Sequence, residues 1–395
     1  MTDRPVTARI VLVSHSSKPR GGLVHTLSLA EALHAQGVGV HLIVLGDPAQ
    51  GLFRPTAVPH TVLPSPTKAG TTLEDRVFAS IDTLTEGLTA LAGEFDILHT
   101  QDCIAARAAA RVRDRGAPVT VLRTVHHVDD FTTQALVDCQ RLAIQEPDRV
   151  MVVSEQWRGI LRDEYGRETD VVPNGVDAAR FPRPPAEELA RLRARLNARY
   201  RFVFLSVGGV EPRKGSIHAF RALSRLRAAG VDAMLAVVGG HSFQDYAAYR
   251  ERSLAMLPEL GLTLGEDVVL LGTVSESELA GWYHAADALA FPSVKEGWGL
   301  VVLEAMSTGL PVVASDLPVF QEYLVDGENA LLPPVADDAA LAEAMARIVR
   351  EPLLRKRLRA GGAALLPRFS WAASAQRHQE IYREVRAGRV GAASA

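Results

Sequence analysis

The stretch Pro292-Ser-Val-Lys-Glu296-Gly297-Trp298-Gly299-Leu300-Val-Val-Leu-Glu304 predicts a Gly-rich turn directly before a helix. Glu296 and Glu304 are separated by seven residues, and Gly309-Leu-Pro311 ends the predicted helix. Amide N–H groups at a helix N-terminus attract phosphate, and glycines let a ligand approach the backbone. Two unrelated glutamates in a βα loop are the alternative. The flanking residues favour a site for a ligand that carries phosphate and hydroxyl groups, such as a nucleotide sugar.

Short apolar runs alternate with longer helical patterns along the chain, in two series separated by the Pro-rich stretch Phe181–Pro185. Near-continuous apolar strands with helices between them predict parallel sheets covered on both faces. The predicted strands of the first series are Ile10–Val13, His41–Leu45, Ile97–His99, Val119–Leu122 and Val150–Val153. Those of the second series are Phe202–Val207, Met234–Val238, Val268–Leu271, Ala288–Phe291 and Pro311–Ala314.

Bulk properties exclude several classes of protein. At 395 residues the chain is too long for one typical core, so two domains are expected. A net charge of −3 without a Lys/Arg block gives no reason to expect nucleic acid as a partner. Only Cys103 and Cys139 occur, which favours a cytoplasmic protein without a disulfide framework. No apolar run is long enough for a transmembrane segment, and the N-terminus lacks a signal-peptide core.

The opening stretch, continued to Ala314, closely resembles the E-x7-E signature of retaining GT-B glycosyltransferases of family four (glycosyl transferases group 1). The resemblance extends from about residue 9 to about residue 385 and is more specific in the C-terminal half. Other stretches that match the family are Gly21-Gly22, Thr124-Val-His126, Val172-Pro-Asn-Gly-Val-Asp177, Arg213-Lys214-Gly215 and Leu271-Gly-Thr273-Val274.

The resemblance implies an α/β GT-B fold, in which two doubly wound Rossmann-like domains face a central cleft. The N-terminal domain, residues 1–180, would bind the acceptor, and residues 181–368 would bind the nucleotide sugar. Residues 369–388 would form a C-terminal helix that crosses back to the N-terminal domain, and residues 389–395 a tail. The sequence leaves the oligomeric state open.

The activity that the resemblance implies is retaining transfer of a sugar, of the hexosyltransferase type, from a nucleoside diphosphate sugar to a hydroxyl acceptor. Attack would occur from the front face, without a metal, and the leaving diphosphate would take the acceptor proton. UDP-sugars are favoured, with GDP- and ADP-sugars as alternatives, and the acceptor would be a small molecule or a glycan. The alternative is a non-transferase of the same fold, either a nucleotide-sugar epimerase or an inactive binding subunit.

The residues implied to act in catalysis are His126, Lys214 and Glu296. The residues implied to bind the donor are Gly21, Gly22, Arg213, Lys214, Thr273, Val274, Glu296, Gly297, Trp298, Gly299, Leu300 and Glu304. Candidate acceptor residues are Lys18, Arg20, His127 and Asp129, each of which could instead be a solvated or capping residue. Tyr283, Asp287 and the Asn174-Gly175 turn are interpreted as structural.

One position departs from the family pattern. The family carries an Arg directly after the first Gly of Val207-Gly208-Gly209, and this chain has Gly209 there. Lys214 matches the family's lysine, and Arg213 is the candidate replacement for the missing cation. A surface Arg-Lys pair is the alternative interpretation of these two residues.

Overall fold

The computed structural model describes residues 9–66, 72–198, 201–240 and 246–393. The chain forms two compact units. The first comprises Met1–Gly175 with Ser370–Ala395, and the second comprises Val176–Phe369. The unit boundaries at 175/176 and 369/370 lie close to the boundaries expected at 180/181 and 368/369.

The first unit contains a seven-stranded sheet in which all pairings of neighbouring strands are parallel. Its strands are β1 (Ile10–Ser14), β2 (Val40–Gly46), β3 (His60–Pro64), β4 (Ile97–Thr100), β5 (Thr120–Val125), β6 (Arg149–Val152) and β7 (Asp170–Val171). Its helices are α1 (Gly21–Ala35), α2 (Leu73–Ala90), α3 (Cys103–Asp114), α4 (Gln134–Gln145), α5 (Glu155–Tyr165) and the C-terminal α14 (Trp371–Ala393), with a 3₁₀ turn at Ala92–Glu94. The strand order is β3-β2-β1-β4-β5-β6-β7.

The second unit contains a five-stranded parallel sheet. Its strands are β8 (Phe202–Val207), β9 (Ala233–Val238), β10 (Val268–Gly272), β11 (Ala288–Phe291) and β12 (Val312–Ala314). Its helices are α6 (Ala186–Arg195), α7 (Ser216–Ala228), α8 (Ala247–Ala255), α9 (Glu276–Ala285), α10 (Leu300–Ser307), α11 (Pro318–Gln321), α12 (Asp338–Arg350) and α13 (Pro352–Leu365), with 3₁₀ turns at Ala178–Arg180 and Leu366–Arg368. The strand order is β10-β9-β8-β11-β12.

Central strands of both sheets are buried on both faces, which explains why they appear in the sequence as uninterrupted apolar runs. Every residue of β1 and of β9 is buried. Helices cover the sheets with apolar faces, as α12 does with Leu341, Met345 and Ile348. Burial of these side chains is the main favourable contribution to folding.

Each sheet has one point where the direction of strand addition reverses. In the first unit, β2 and β3 lie on one side of β1, and β4 lies on the other. In the second unit, β9 and β10 lie on one side of β8, and β11 lies on the other. Loops that follow the two strands at such a point diverge, and the crevice between them is where doubly wound sheets bind ligands. The candidate sites are therefore expected after β1 and β4 and after β8 and β11.

The C-terminal helix α14 belongs to the first unit, where it packs on α1. The side-chain amide of Gln36 donates to the carbonyl of Ala372 over 2.9 Å. The helix continues to Ala393, past residue 388, where the sequence predicted its end. The last two residues of the predicted tail lie outside the described part of the chain. Among the described residues, no helix combines the length and apolar character needed to cross a membrane.

Candidate functional site

Glu296 is the centre of a charged cluster at the reversal point of the second sheet. Its carboxylate lies 2.7 Å from the ammonium nitrogen of Lys214 and 3.1 Å from a guanidinium nitrogen of Arg213. Ser293 donates its hydroxyl to the same carboxylate over 2.9 Å. The cations follow β8 and the carboxylate follows β11, so the fold brings together residues that are 82 and 83 positions apart.

The electrostatics of the cluster keep Glu296 ionised. Only 7% of Glu296 is exposed. Burial by itself raises the pKa of Glu296, but Lys214, Arg213 and the Ser293 hydroxyl outweigh it and lower the pKa to about 2. Burial lowers the pKa of Lys214, and the Glu296 carboxylate opposes that shift. The Lys214 ammonium also lies 4.7 Å from the centre of the Phe291 ring, a cation–π contact.

Gly209 has no room for the family's arginine. Its φ of +77° lies in the left-handed region, and a Cβ there would lie 2.9 Å from the carbonyl oxygen of Gly240. The amide groups of Gly208 and Gly209 both donate to Val238 O, which holds this turn against the end of β9. Arg213 instead brings a guanidinium to the Glu296 carboxylate, which Lys214 also binds. It does so from a backbone position four residues after Gly209.

The Gly-rich turn before α10 is held by aromatic packing. Gly299 has a φ of +89°, and a Cβ there would lie 2.5 Å from the Phe320 ring. Trp298 is buried and stacks on Tyr323 with 4.9 Å between ring centres, while the Tyr323 hydroxyl donates to Trp298 O over 2.7 Å. The side chain of Trp298 is thus part of the packing. Its backbone, with those of Gly297, Gly299 and Leu300, forms the N-terminal entry to α10.

Glu304 is oriented by Tyr283, a residue whose sequence context predicted a structural role. Glu304 lies in the second turn of α10. The hydroxyl of Tyr283, on α9, donates to Glu304 Oε2 over 2.7 Å. Burial raises the pKa of the Tyr283 hydroxyl, and the Glu304 carboxylate raises it further, so the tyrosine stays a donor. Asp287, by contrast, binds Arg193 and accepts from the backbone of Val203, which is a structural role.

Thr273 and Val274 follow the edge strand β10. Thr273 is exposed and Val274 is half-buried. The Thr273 hydroxyl lies against Gly240, where an added Cβ would approach it to 2.2 Å. Since Gly209 in turn lies against Gly240, the turns after β8, β9 and β10 lie side by side.

In the first unit, Asp102 joins the loops that follow β1 and β4. One carboxylate oxygen accepts from the Ser14 hydroxyl over 3.1 Å and from the His15 amide over 2.9 Å, and it lies 3.0 Å from His15 Nδ1. The other oxygen caps α3 by accepting from the Ala105 amide over 2.8 Å. Burial favours the neutral acid, but His15 and these donors lower the pKa of Asp102 to about 2. The Asp-before-helix pattern predicts the cap, whereas nothing in the sequence predicts the contact with the first loop.

The candidate phosphate-binding loop of the first unit leads directly into α1. Arg20 is the N-cap residue and Gly21 and Gly22 form the first two helical positions. A Cβ at either glycine would meet nothing within 4 Å, so the backbone there is open on its outer side. Lys18 is exposed and Arg20 is half-buried. The structure thus places two basic residues directly before an accessible helix start.

His126 is the first residue after β5 and is partly exposed. Its Nε2 lies 3.2 Å from the side-chain oxygen of Gln101, and its ring meets the edge of His25 with 4.5 Å between centres. Burial, together with His127 and Arg123, lowers the pKa of His126 to about 3, so the imidazole is neutral at physiological pH.

His127 and Asp129 form a more exposed pair. His127 Nε2 lies 3.4 Å from Asp129 Oδ1, and each side chain is about one-third exposed. The backbone of Asp129 exchanges two hydrogen bonds with the side-chain amide of Gln140. The loop after β5 is therefore fixed to α4. Within the described residues, no group of three or more His, Cys, Asp or Glu side chains could hold a metal ion.

Comparison with protein families gives two matches that together span most of the chain. Residues 19–180 match "Glycosyltransferase Family 4", and residues 190–364 match "Glycosyl transferases group 1". A "D-inositol 3-phosphate glycosyltransferase" from Nocardioides sp. is 28% identical over 96% of this chain and 90% of its own length. A protein of the same name from Frankia alni is 31% identical over 74% of each chain.

Solved structures give the same fold. HepE of Anabaena, in complex with UDP and glucose, superposes with a TM-score of 0.81 at 20% identity, over 95% of this chain and all of its own. Sucrose-phosphate synthase from Thermosynechococcus elongatus gives a TM-score of 0.79 at 24% identity, over 96% of this chain and 99% of its own. With these likenesses and the two parallel sheets, the chain belongs to the glycosyl transferases group 1 of glycosyltransferase family 4 and is a glycosyltransferase with the α/β GT-B fold.

Proposed function

We propose that this glycosyltransferase moves a sugar from a nucleoside diphosphate sugar to a hydroxyl group of a small polar acceptor, with retention of the anomeric configuration. The observation that carries the proposal is the cluster in which Lys214 and Arg213 contact Glu296 beside the start of α10. A diphosphate needs cations and amide N–H groups, and sugar hydroxyls need a carboxylate. The cluster supplies the cations and the carboxylate, and the backbone at the start of α10 supplies amide groups.

In the proposed donor complex, Lys214 and Arg213 bind the diphosphate and neutralise the charge that grows as the bond to the sugar breaks. Glu296 then accepts hydrogen bonds from hydroxyls of the transferred sugar. The amide groups of 297–300 bind the phosphate oxygens. Because side-chain cations carry the charge in this scheme, the reaction is proposed to need no metal.

The nucleoside is proposed to lie between Glu304 and the turn after β10. Glu304, oriented by Tyr283, accepts hydrogen bonds from the ribose hydroxyls. The backbone of Thr273 and Val274 contacts the base. UDP is favoured because solved structures of HepE contain UDP and UDP-glucose, and GDP and ADP are the alternatives.

The proposed chemistry is attack from the front face. The acceptor oxygen bonds to the anomeric carbon on the side from which the diphosphate leaves, and the leaving phosphate oxygen takes the hydroxyl proton. His126, neutral at physiological pH, contacts the donor sugar, and Gly21 and Gly22 contribute amide groups near the diphosphate. The protein supplies orientation and a fixed electrostatic environment rather than a covalent intermediate.

Acceptor binding is proposed for the first unit, at Lys18, Arg20, His127 and Asp129. The basic pair suits an acceptor that carries phosphate, and the His127–Asp129 pair suits hydroxyl groups. Several relatives are named D-inositol 3-phosphate glycosyltransferases, and one from Mycobacterium leprae is named a phosphatidyl-myo-inositol mannosyltransferase. A phosphorylated polyol is therefore the proposed acceptor class.

The test has two stages. Thermal shifts with UDP-, GDP- and ADP-sugars identify the donor, because a ligand that binds only the native state raises the unfolding midpoint. The selected donor is then incubated with D-inositol 3-phosphate or myo-inositol, with and without a chelator. The product is analysed by mass spectrometry, and the anomeric proton coupling in its NMR spectrum reports the stereochemistry.

We expect a glycoside with the donor's anomeric configuration, formed equally well with the chelator, and no product from Glu296→Gln. Inversion of the anomeric centre would contradict the retaining mechanism. A changed nucleotide sugar formed without any acceptor would instead identify an epimerase. Donor binding without turnover on any polyol or glycan acceptor would favour a binding subunit.

A further inference from the structure

His25 is a buried residue to which the proposed function gives no role. It lies in the second turn of α1 and is 1% exposed. Its Nδ1 lies 2.8 Å from the side-chain oxygen of Asn174. Because an amide oxygen only accepts, the ring donates from Nδ1, and this bond fixes both the tautomer and the ring plane of His25.

The His25 ring also contacts the rings of His126 and Trp371, both in the first unit. Its centre lies 4.5 Å from that of His126 and 5.3 Å from that of Trp371, and both contacts are edge-to-face. Edge-to-face contacts at these distances are favourable and restrict ring rotation. His126 is otherwise held by its contact with Gln101, at 3.2 Å. Rotation of the His126 ring is therefore limited by both Gln101 and His25.

Away from His126, the His25 ring contacts Asn174, Trp371 and, with 6.5 Å between ring centres, His378. Asn174 and Trp371 are beside the points where the chain passes between the units. The first unit ends at Gly175 and resumes at Ser370, so Asn174 and Trp371 lie next to these two crossings. The two connecting segments also contact each other at Gly175 and Trp371, because a Cβ on Gly175 would lie 2.2 Å from the Trp371 amide nitrogen. His25 therefore contacts both crossings at once.

We propose that His25 is a positioning residue for His126. It fixes the position of the His126 ring relative to the two connections between the units, through its contacts with Asn174 and Trp371. The proposal rests on the role given to His126 in the proposed function. His25 touches neither substrate nor reacting atoms in this scheme. Its contribution is to keep the His126 imidazole at one orientation.

The variants separate the ring of His25 from its hydrogen bond. His25→Ala removes both, His25→Phe keeps a ring against His126 but cannot donate to Asn174, and Asn174→Ala removes the acceptor and keeps the histidine. His25→Gln restores a donor without the aromatic edge. His41→Phe is the matched control, since His41 is a half-buried histidine of the same unit that bonds Thr61 and packs near Phe95.

Three quantities are measured at a temperature well below each variant's thermal unfolding midpoint: kcat, the dissociation constant of the nucleotide, and the NMR signals of the His126 ring. The His126 signals are assigned by comparison with the His126→Asn variant. We expect His25→Ala to lower kcat by about tenfold to a hundredfold, the scale of a small misplacement near the reacting centre. Nucleotide affinity should stay unchanged, and the His126 signals should shift. Asn174→Ala and His25→Phe should fall between His25→Ala and wild type, and His41→Phe should match wild type in kcat and His126 signals.

Unchanged kcat and unchanged His126 signals in folded His25 variants would overturn the proposal. If His25→Ala does not fold, Asn174→Ala and His25→Phe give the same decision. Failure of the underlying function looks different: His126→Ala would then transfer sugar as wild type does, while the His126 signals would still shift in the His25 variants. A loss of thermal stability without a change in kcat would show that His25 is only a packing residue.

Discussion

The ammonium group of Lys214 lies 2.7 Å from Glu296 Oε1, and this contact joins the two loops at the reversal point of the second sheet. Arg213 shares the same carboxylate from the other side, 3.1 Å from Oε2. One carboxylate therefore balances two cations, of which Lys214 is the more buried, with 12% of its side chain exposed. A change at any of these three residues alters the charge environment of the other two.

Glu296→Ala is expected to remove transfer and also to lower stability. It leaves a mostly buried lysine without its carboxylate, and breaking a buried pair in this way typically costs about 3–5 kcal/mol. Glu296→Gln keeps the volume and a hydrogen-bond acceptor, so it should lose activity with a smaller drop in the unfolding midpoint. Activity is assayed below both midpoints. Wild-type turnover in Glu296→Gln would contradict the proposed role.

Arg213→Ala and Lys214→Ala should each slow transfer, with losses that are not additive. Both cations act on one developing charge, so removal of one changes the contribution of the other. Each single loss should be about 2–4 kcal/mol in kcat/KM, the scale of one donor to a developing oxyanion. The double-mutant cycle measures the coupling. If Arg213→Ala equals wild type, Lys214 and the backbone amides bind the diphosphate without it.

Gly209→Arg is expected to destabilise the protein and to restore little activity to Arg213→Ala. The new side chain would occupy a left-handed backbone position, with its Cβ 2.9 Å from Gly240 O. Gly209→Ala serves as the control, because it introduces the same backbone strain without the guanidinium. Thermal midpoints and kcat/KM are compared for both variants. Full rescue at an unchanged midpoint would show that the turn adapts to a side chain.

Glu304→Ala should weaken nucleotide binding more than it slows the bound reaction, since ribose contacts are equal in the ground and transition states. Tyr283→Phe removes the hydroxyl that donates to Glu304 and should raise the nucleotide dissociation constant by about threefold to tenfold, the range for one hydrogen bond. Titration calorimetry with UDP measures both. Unchanged nucleotide affinity together with a collapsed kcat in Glu304→Ala would contradict this role.

The first unit should become less stable as the pH falls below 6.5. Burial is the largest cause that lowers the folded-state pKa of His25, His99, His126 and His378, the last two to about 3 and about 4, whereas 6.5 is the ordinary value. Between pH 6.5 and 4 the unfolded chain binds protons that the folded chain does not. Each such histidine then removes about 1.4 kcal/mol of unfolding free energy per pH unit. Above pH 6.5 these groups contribute no pH dependence.

Urea unfolding at several pH values between 7.5 and 5 measures this slope. His378→Gln should reduce it by about one proton, because one titrating group is removed. Asp102 and Glu296, with folded-state pKa values of about 2, stabilise the folded protein fully above their ordinary values of 3.8 and 4.5, and this contribution is lost only as the pH falls below those values toward 2. A stability that is flat from pH 7.5 to 5 would contradict the lowered folded-state pKa values of the four histidines.

Most of the central strands could be predicted from the sequence, because strands buried on both faces are continuous apolar runs. Two edge strands could not. His60–Pro64 is exposed at both ends, and Asp170–Val171 has only two half-buried residues. These two strands bury too little apolar surface to produce a distinct pattern, unlike β10 and β12, the apolar edge strands of the second sheet. The prediction for β5 ended at Leu122, because Arg123 and Thr124 are polar, although both are buried in the strand.

The two parallel α/β sheets, the order of their elements along the chain and the family could be predicted, because they depend on local patterns and short contiguous motifs. Which side chains contact one another could be seen only in the folded structure. Glu296 with Lys214, Tyr283 with Glu304 and Asp102 with Ser14 come together because parallel strands bring distant loops to one edge of a sheet. Such contacts depend on strand order, which no local pattern of residues encodes.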